Sequence, residues 1–230
     1  MLASPGMADA LRARLDRRKF GRVRWIRKAG EVRGRGHQVR AHLRYVLTDP
    51  EIDNFTYELA NEAELGSWLE RSIGCPPSLV DEAKGNRTLR CRIDRAAASR
   101  PWSMKRRPAL GRRLGWYALV RHLKPRRVIE TGTHDGLGSV VILEALSRNA
   151  AEGTEGELVS LDIDPHSGWM VGDDERFRQI IGTTRDTLPG VLAEGANMLL
   201  HDSDHSLGHE RFELTEAADS GVPVLVSDNS

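Results

Sequence analysis

Between Val128 and Ser139 the chain reads VIETGTHDGLGS, a short apolar run, an acid and three glycines within seven positions. The chemistry this pattern supports is capture of a ligand by backbone. Gly132, Gly136 and Gly138 let the chain turn tightly and approach a ligand with no Cβ in the way, and Thr133 lies inside the same loop. Ser139 then opens the apolar run VVILEAL, whose length suits a helix with its positive N-terminal end facing the ligand. Glu130 stands two residues before the first glycine. Beside a pyrophosphate that carboxylate would be repelled, and the glycine order also departs from the G-x-G-x-x-G of dinucleotide sites. Beside a cationic ligand it is favourable.

A second acid follows at a telling distance. GELVSLDIDP reads as a buried strand ending in Asp162, 24 residues after Gly138. That is near the spacing at which an acid meets ribose hydroxyls at the end of the second strand. Asp162 could equally cap the next turn, since Asp164 and Pro165 follow.

Further on, LLHDSDHS (199–206) and VLVSDNS (224–230) bring Asp202, Asp204, His205, Asp228 and Asn229 to two more strand ends. Asp202, Asp228 and Asn229 are hard oxygen donors of the kind that suit an octahedral Mg²⁺. Acids at strand ends also cap helices and turns, and an Asp-Asn pair by itself is more often a turn. His205 is a candidate for proton transfer, because imidazole titrates near neutral pH. His201 and His209 are alternatives for that role, or structural histidines.

These residues need a scaffold that gathers strand ends. Candidate strands lie at 127–131, 157–162, 178–182, 197–201 and 223–227, with helical patterns between them, including Ser206 to Asp219. Strands alternating with helices imply a parallel sheet covered on both faces, with ligands bound beyond the carboxyl ends of the strands. A further helix is expected over about Leu110 to Leu123. Residues 51–98 read as several short helices, with Asn61 and Glu64 at capping-box spacing. The expected organisation is a basic arm over 1–49, a helical extension over 50–113, and a core over 114–230.

The E-x-G-x-x-x-G-x-G loop resembles the first motif of class I S-adenosylmethionine-dependent methyltransferases, whose donor carries an ammonium and a sulfonium. The D-x-D-[HK] segment and the later DN pair resemble metal-dependent O-methyltransferases of the catechol and caffeoyl-CoA type. DSDHS together with ETG is more similar still to the bacterial sugar and antibiotic group, methyltransferase family 24 with its rhamnosyl and cephalosporin-cluster members. The resemblance covers about residues 114–230 and implies a Rossmann-like doubly wound α/β sheet, here short of the last helix and two strands. It implies S-adenosylmethionine as cofactor, held by Glu130, Gly132, Thr133, Gly136, Gly138 and Asp162. It also implies Mg²⁺ held by Asp202, Asp228 and Asn229. His205 stands where the catechol type has a catalytic lysine, and Asp202 is the second residue expected in the catalytic centre. The implied reaction is O-methylation of a small hydroxylated molecule or sugar.

Charge divides the chain. The net charge is +1, yet residues 151–230 hold 17 acids and 4 bases while 1–150 hold 30 bases and 16 acids. Leu11 to Arg44 contains 13 bases against Asp16 and Glu31, the composition of a solvated arm. Such an arm would also suit nucleic acid, an anionic surface, or the acidic half of a second copy in a homo-oligomer. Two other functions therefore stand beside the first: a nucleic-acid methyltransferase using the arm, and a non-catalytic cofactor-binding module. Against the nucleic-acid alternative, the fourth strand is followed by DSDH and not by the N/D-P-P-Y/F motif that base-modifying enzymes share. No run of 18 apolar residues and no signal-type segment is present. Cys75 and Cys91 have no metal-ligand spacing and are expected as free thiols in a cytoplasmic protein.

Overall fold

In the computed structural model, residues 62–98 and 108–228 are described. The basic arm, Asn61 of the expected capping pair, and Asn229 lie outside the described residues. The described residues of 62–96 and 112–228 form one compact unit, which contains the sheet.

Its helical part opens with α1 (Glu62–Ile73), α2 (Ser78–Gly85) and α3 (Arg87–Ala98), the short helices expected there, followed by α4 (Arg113–Leu123). The alternating part is β1 (Arg127–Thr131), α5 (Leu137–Ala151), β2 (Glu157–Asp162), β3 (Phe177–Ile181), α6 (Thr184–Ala193), β4 (Met198–His201), α7 (Leu207–Asp219) and β5 (Val224–Ser227). Strands β1 and β2 have the bounds expected from the sequence, β4 and β5 start one residue later than expected, and β3 is shifted by one residue at both ends. Helix α5 starts two residues before Ser139, because Gly136 adopts a left-handed conformation (φ 89°) and serves as its N-cap.

The strands run parallel in the order β3-β2-β1-β4-β5. This is the Rossmann-like doubly wound sheet that the motifs imply. The order reverses direction between β1 and β4, and a crevice opens at the carboxyl ends of strands on either side of such a point.

Period-two alternation sorts the strand residues between the faces. Ile129, Val159, Leu161 and Leu199 form one fully buried layer with Leu188, Val191 and Leu192 of α6 and Ala217 of α7. The intervening residues, Glu130, Ser160 and Leu200, point to the opposite face, where α4 packs on α5 and α5 on β2. Burying about 25 cal/mol for each Å² of apolar surface, both layers stabilise the sheet strongly enough to carry polar groups at its edge.

Helices α2 and α3 are tied to this core by charged hydrogen bonds. Glu82 of α2 accepts from Tyr117 Oη at 2.6 Å and Arg121 Nε at 2.8 Å, both on α4. Asn86 Nδ2 donates to Glu144 Oε1 of α5 at 2.7 Å. Cys75 is buried and Cys91 exposed, and both are free thiols. Among the described residues no helix is long and apolar enough to cross a membrane.

Candidate active site

The glycine loop, residues 132–136, leaves β1 at the carboxyl edge and is fixed by two neighbours. From below, Gly132 N–H donates to Leu161 O of β2 at 2.8 Å. From the side, Gly132 (φ 89°) meets the β4 loop so closely that a Cβ would stand 2.1 Å from Asp202 O. This glycine is required by the approach of the first and fourth strand ends, as well as by its left-handed backbone.

Glu130 sits just inside that loop and is 1% exposed. Its Oε2 accepts from Ser139 Oγ at 2.5 Å and Ser160 Oγ at 2.6 Å. Burial pushes its carboxyl up to about 7, against the pull of these two hydroxyls and of Arg113. Gly138, in the first turn of α5, lets Trp116 and the Glu130 carboxylate come close; a Cβ there would lie 2.6 Å from the indole and 2.9 Å from Glu130 Oε1. Thr133 is buried, its hydroxyl 2.6 Å from Ser160 Oγ.

Asp162 ends β2 with its carboxylate astride two turns. Oδ2 accepts from His134 N of the glycine loop and Oδ1 from Asp164 N, both at 2.8 Å. It therefore does cap the following turn, and it also fixes the loop beside it. The segment after β2 folds back on the same loop: Gly168 N donates to His134 O at 2.7 Å, and Trp169 Nε1 to Asp135 Oδ1 at 2.6 Å. Gly136 packs directly on Gly168.

Asp202 and Asp228, at the ends of β4 and β5, face one another. Arg112, the residue before α4, lies between them, with Nε in a short contact to Asp228 Oδ1 and Nη2 3.8 Å from Asp202 Oδ1. Asp202 is pushed well above the usual carboxylate range by burial and by Asp228 beside it, with Arg113 and Arg112 pulling the other way. Arg113 is itself buried, its guanidinium 5.3 Å over the Trp116 ring.

The three histidines are sorted by the opposite face of the sheet. His201 is fully buried, with Nδ1 2.7 Å from Glu213 Oε2 of α7. His209 Nε2 lies 2.7 Å from Glu213 Oε1. Thr131 Oγ1 (2.5 Å) and Ser203 Oγ (2.8 Å) donate to the same carboxylate. Burial alone would raise Glu213, but the hydrogen bonds from His201, Thr131, Thr184 and Ser203 hold it down at about 2. His205 differs: it is exposed in the β4–α7 loop, its ring edge-on to His201 at 6.3 Å between centroids.

Glu130, Gly132, Thr133, Gly136, Asp162, Asp202, His205 and Asp228 lie at the carboxyl ends of β1, β2, β4 and β5 or in the loops that follow them, and Gly138 lies in the first turn of α5. The structure brings Glu130 to Gly138, Gly132 to Asp202, and Asp202 to Asp228; Asn229 lies outside the described residues. Among those described, no group of three His, Cys, Asp or Glu side chains forms a metal cluster. Arg112, Arg113, Trp116 and Glu213 were missed by the sequence reading. The tandem arginines immediately before the apolar helix were the available signal for the first two. For Glu213 it was the spacing of four from His209 on one helix face.

Residues 129–224 match a family model described as a methyltransferase domain. The chain is similar to an O-methyltransferase from Bacillus cereus in complex with SAH, at 15% identity and TM-score 0.45, covering 72% of each chain. It is also similar to TomG, an O-methyltransferase of Streptomyces achromogenes involved in tomaymycin synthesis, in complex with SAM, at 19% identity and TM-score 0.45, covering 70% of each chain. A third similar structure is the SAH-bound methyltransferase PaMTH1 of Podospora anserina, at 21% identity and TM-score 0.44, covering 74% of this chain and 69% of that one. No curated protein matches the chain.

Proposed function

We propose that this chain transfers the methyl group of S-adenosylmethionine to an oxygen of a small hydroxylated molecule or sugar. The observation that carries this reading is the meeting of the glycine loop with the β4 end, Gly132 against Asp202, which joins a donor site to an acidic acceptor site. The donor, when bound, supplies an electrophilic methyl group on a positively charged sulfur. No side chain caps the start of α5, so its first-turn amides are suited to an anionic ligand group. Asp162 keeps acceptor capacity for ribose hydroxyls beyond its two backbone bonds. Thr133, Gly136 and Gly138 shape the turn between them, and Glu130 contributes a titratable acid directly behind it.

Methyl transfer needs the acceptor oxygen in line with the bond being broken, so much of the acceleration comes from holding it there. Asp202 and Asp228 are the groups we assign to orienting the acceptor hydroxyl. His205, exposed in the loop that follows Asp202, is our candidate for receiving its proton. Mg²⁺ would be held by Asp202, Asp228 and Asn229, and would lower the pKa of a bound hydroxyl. Against the metal, Arg112 stands between the two described carboxylates, and the described residues hold no group of three acids, histidines or cysteines there.

The test is methyl transfer from labelled S-adenosylmethionine to a panel of phenols, glycosides, RNA and DNA, with and without Mg²⁺. Labelled ether products from phenols or glycosides are expected. Label appearing in nucleic acid alone, or in no acceptor, would refute the proposal.

A further inference from the structure

Between β2 and β3, residues 163–176 form no helix, and the segment is held by what it touches. On one side it lies along the glycine loop. Gly168 N donates to His134 O at 2.7 Å and Met170 N to Asp135 O at 3.0 Å, while Trp169 Nε1 donates to Asp135 Oδ1 at 2.6 Å. A Cβ on Gly136, the N-cap of α5, would meet Gly168 Cα and Val171 Cγ2 at 3.0 Å each. Three successive loop residues, 134–136, are therefore seated against this one segment.

On its other side stands Arg92 of α3. Arg92 Nη2 donates to Val171 O at 2.9 Å, and Nη1 lies 2.9 Å from Asp174 Oδ2. The planar guanidinium grips a backbone carbonyl and a carboxylate of the same bend at once, which the single ammonium of a lysine does not reproduce. Side-chain exposures of 26% and 17% shield the pair from the solvent that weakens surface ion pairs. Leu89 and Ile93 of α3 are buried, so the guanidinium is carried by an element fixed in the core.

We infer that Arg92 is a positioning residue for the methyl-donor site, pinning the β2–β3 segment onto the glycine loop so that residues 134–136 are seated before the donor arrives. The inference rests on the donor reading proposed above. Arg92 acts through residues 168–174, which carry its hold to the start of α5. A loop seated for only a fraction of the time binds its ligand more weakly by that fraction, and holding it in place removes this cost. The helical region ahead of the sheet then contributes to donor affinity from behind the loop.

Calorimetric titration of S-adenosylmethionine into the full chain, read beside the ¹⁵N indole signal of Trp169 (assigned by its loss in Trp169→Phe), tests this. In Arg92→Gln the affinity should fall about tenfold, roughly 1.4 kcal/mol, and the Trp169 signal should move toward that of a solvent-exposed indole. Saturating donor should return the signal toward its wild-type position, a response that a general loss of stability does not give. Arg92→Lys keeps the charge opposite Asp174 but loses the fork, so it should show smaller changes of both kinds, and it carries the test if Arg92→Gln does not fold. Unchanged affinity in a folded variant, or weaker binding with the indole signal unmoved, would overturn the role of Arg92 while the donor reading stands. No binding by the wild-type chain would overturn the donor reading and this inference with it.

Discussion

A Cβ on Gly132 would stand 2.1 Å from the carbonyl oxygen of Asp202 and 2.7 Å from Ser203 Cα, so the glycine loop and the acidic loop can coexist only while this residue lacks a side chain. Both partners are backbone and cannot rotate aside. The φ of 89° adds the left-handed penalty to the clash. Gly132→Ala should cost about 3 kcal/mol or more in unfolding free energy, from strain and overpacking together. Denaturant melts measure it, and a loss under about 1 kcal/mol would show that the loops part readily.

Glu213 should dominate acid stability. Its carboxyl is held at about 2 in the fold against an ordinary 4.5, so below that ordinary value the unfolded chain binds the extra proton. The stabilisation is fully present above roughly pH 4.5 and is lost as pH falls toward 2, about 3 kcal/mol in all. Glu213→Gln should flatten that fall. Glu213→Ala, which orphans His201, Ser203 and Thr131, should cost about 3–5 kcal/mol at neutral pH. Urea melts from pH 6 down to 2.5 measure both effects.

Glu130 should act with the opposite sign. Burial raises its carboxyl from 4.5 to about 7, so between those values the folded state holds a proton that the unfolded state has released. Stability then falls as pH rises through the window, by up to about 1.4 kcal/mol per pH unit. Glu130→Gln, which cannot ionise, should remove that slope between pH 5 and 7. An unchanged slope in the variant would assign it to another group.

The sheet was legible because its residues obey short-range rules. β-Branched and leucine runs bounded by glycine and proline mark β1 and β2 to the residue, and Ser206 ahead of an apolar periodicity marks α7. The strand ends were legible for the same reason, since an acid or histidine directly after such a run must lie at the carboxyl edge. What the sequence hides is which group meets which across the chain. Nothing local tells that Arg112 inserts between residues 90 and 116 positions later. Likewise, nothing local assigns His201 to Glu213 and leaves His205 exposed; that follows from alternation at the end of β4 once the register with β1 is known. Glu130 reads in sequence as a ligand-facing acid, and the fold buries it with hydrogen bonds from Ser139 and Ser160.

We propose that the carboxyl edge of β1 and β2 holds S-adenosylmethionine, and calorimetric titration of that compound into the full chain decides it. Saturable binding at one site per chain is expected with or without Mg²⁺, weakened in Asp162→Ala by about 1–3 kcal/mol, the range for leaving hydrogen-bonding groups without their partner. Part of that loss comes from the glycine loop, because Asp162 also holds His134 N at 2.8 Å. No binding to the folded wild-type chain, or equal affinity in Asp162→Ala, would contradict it.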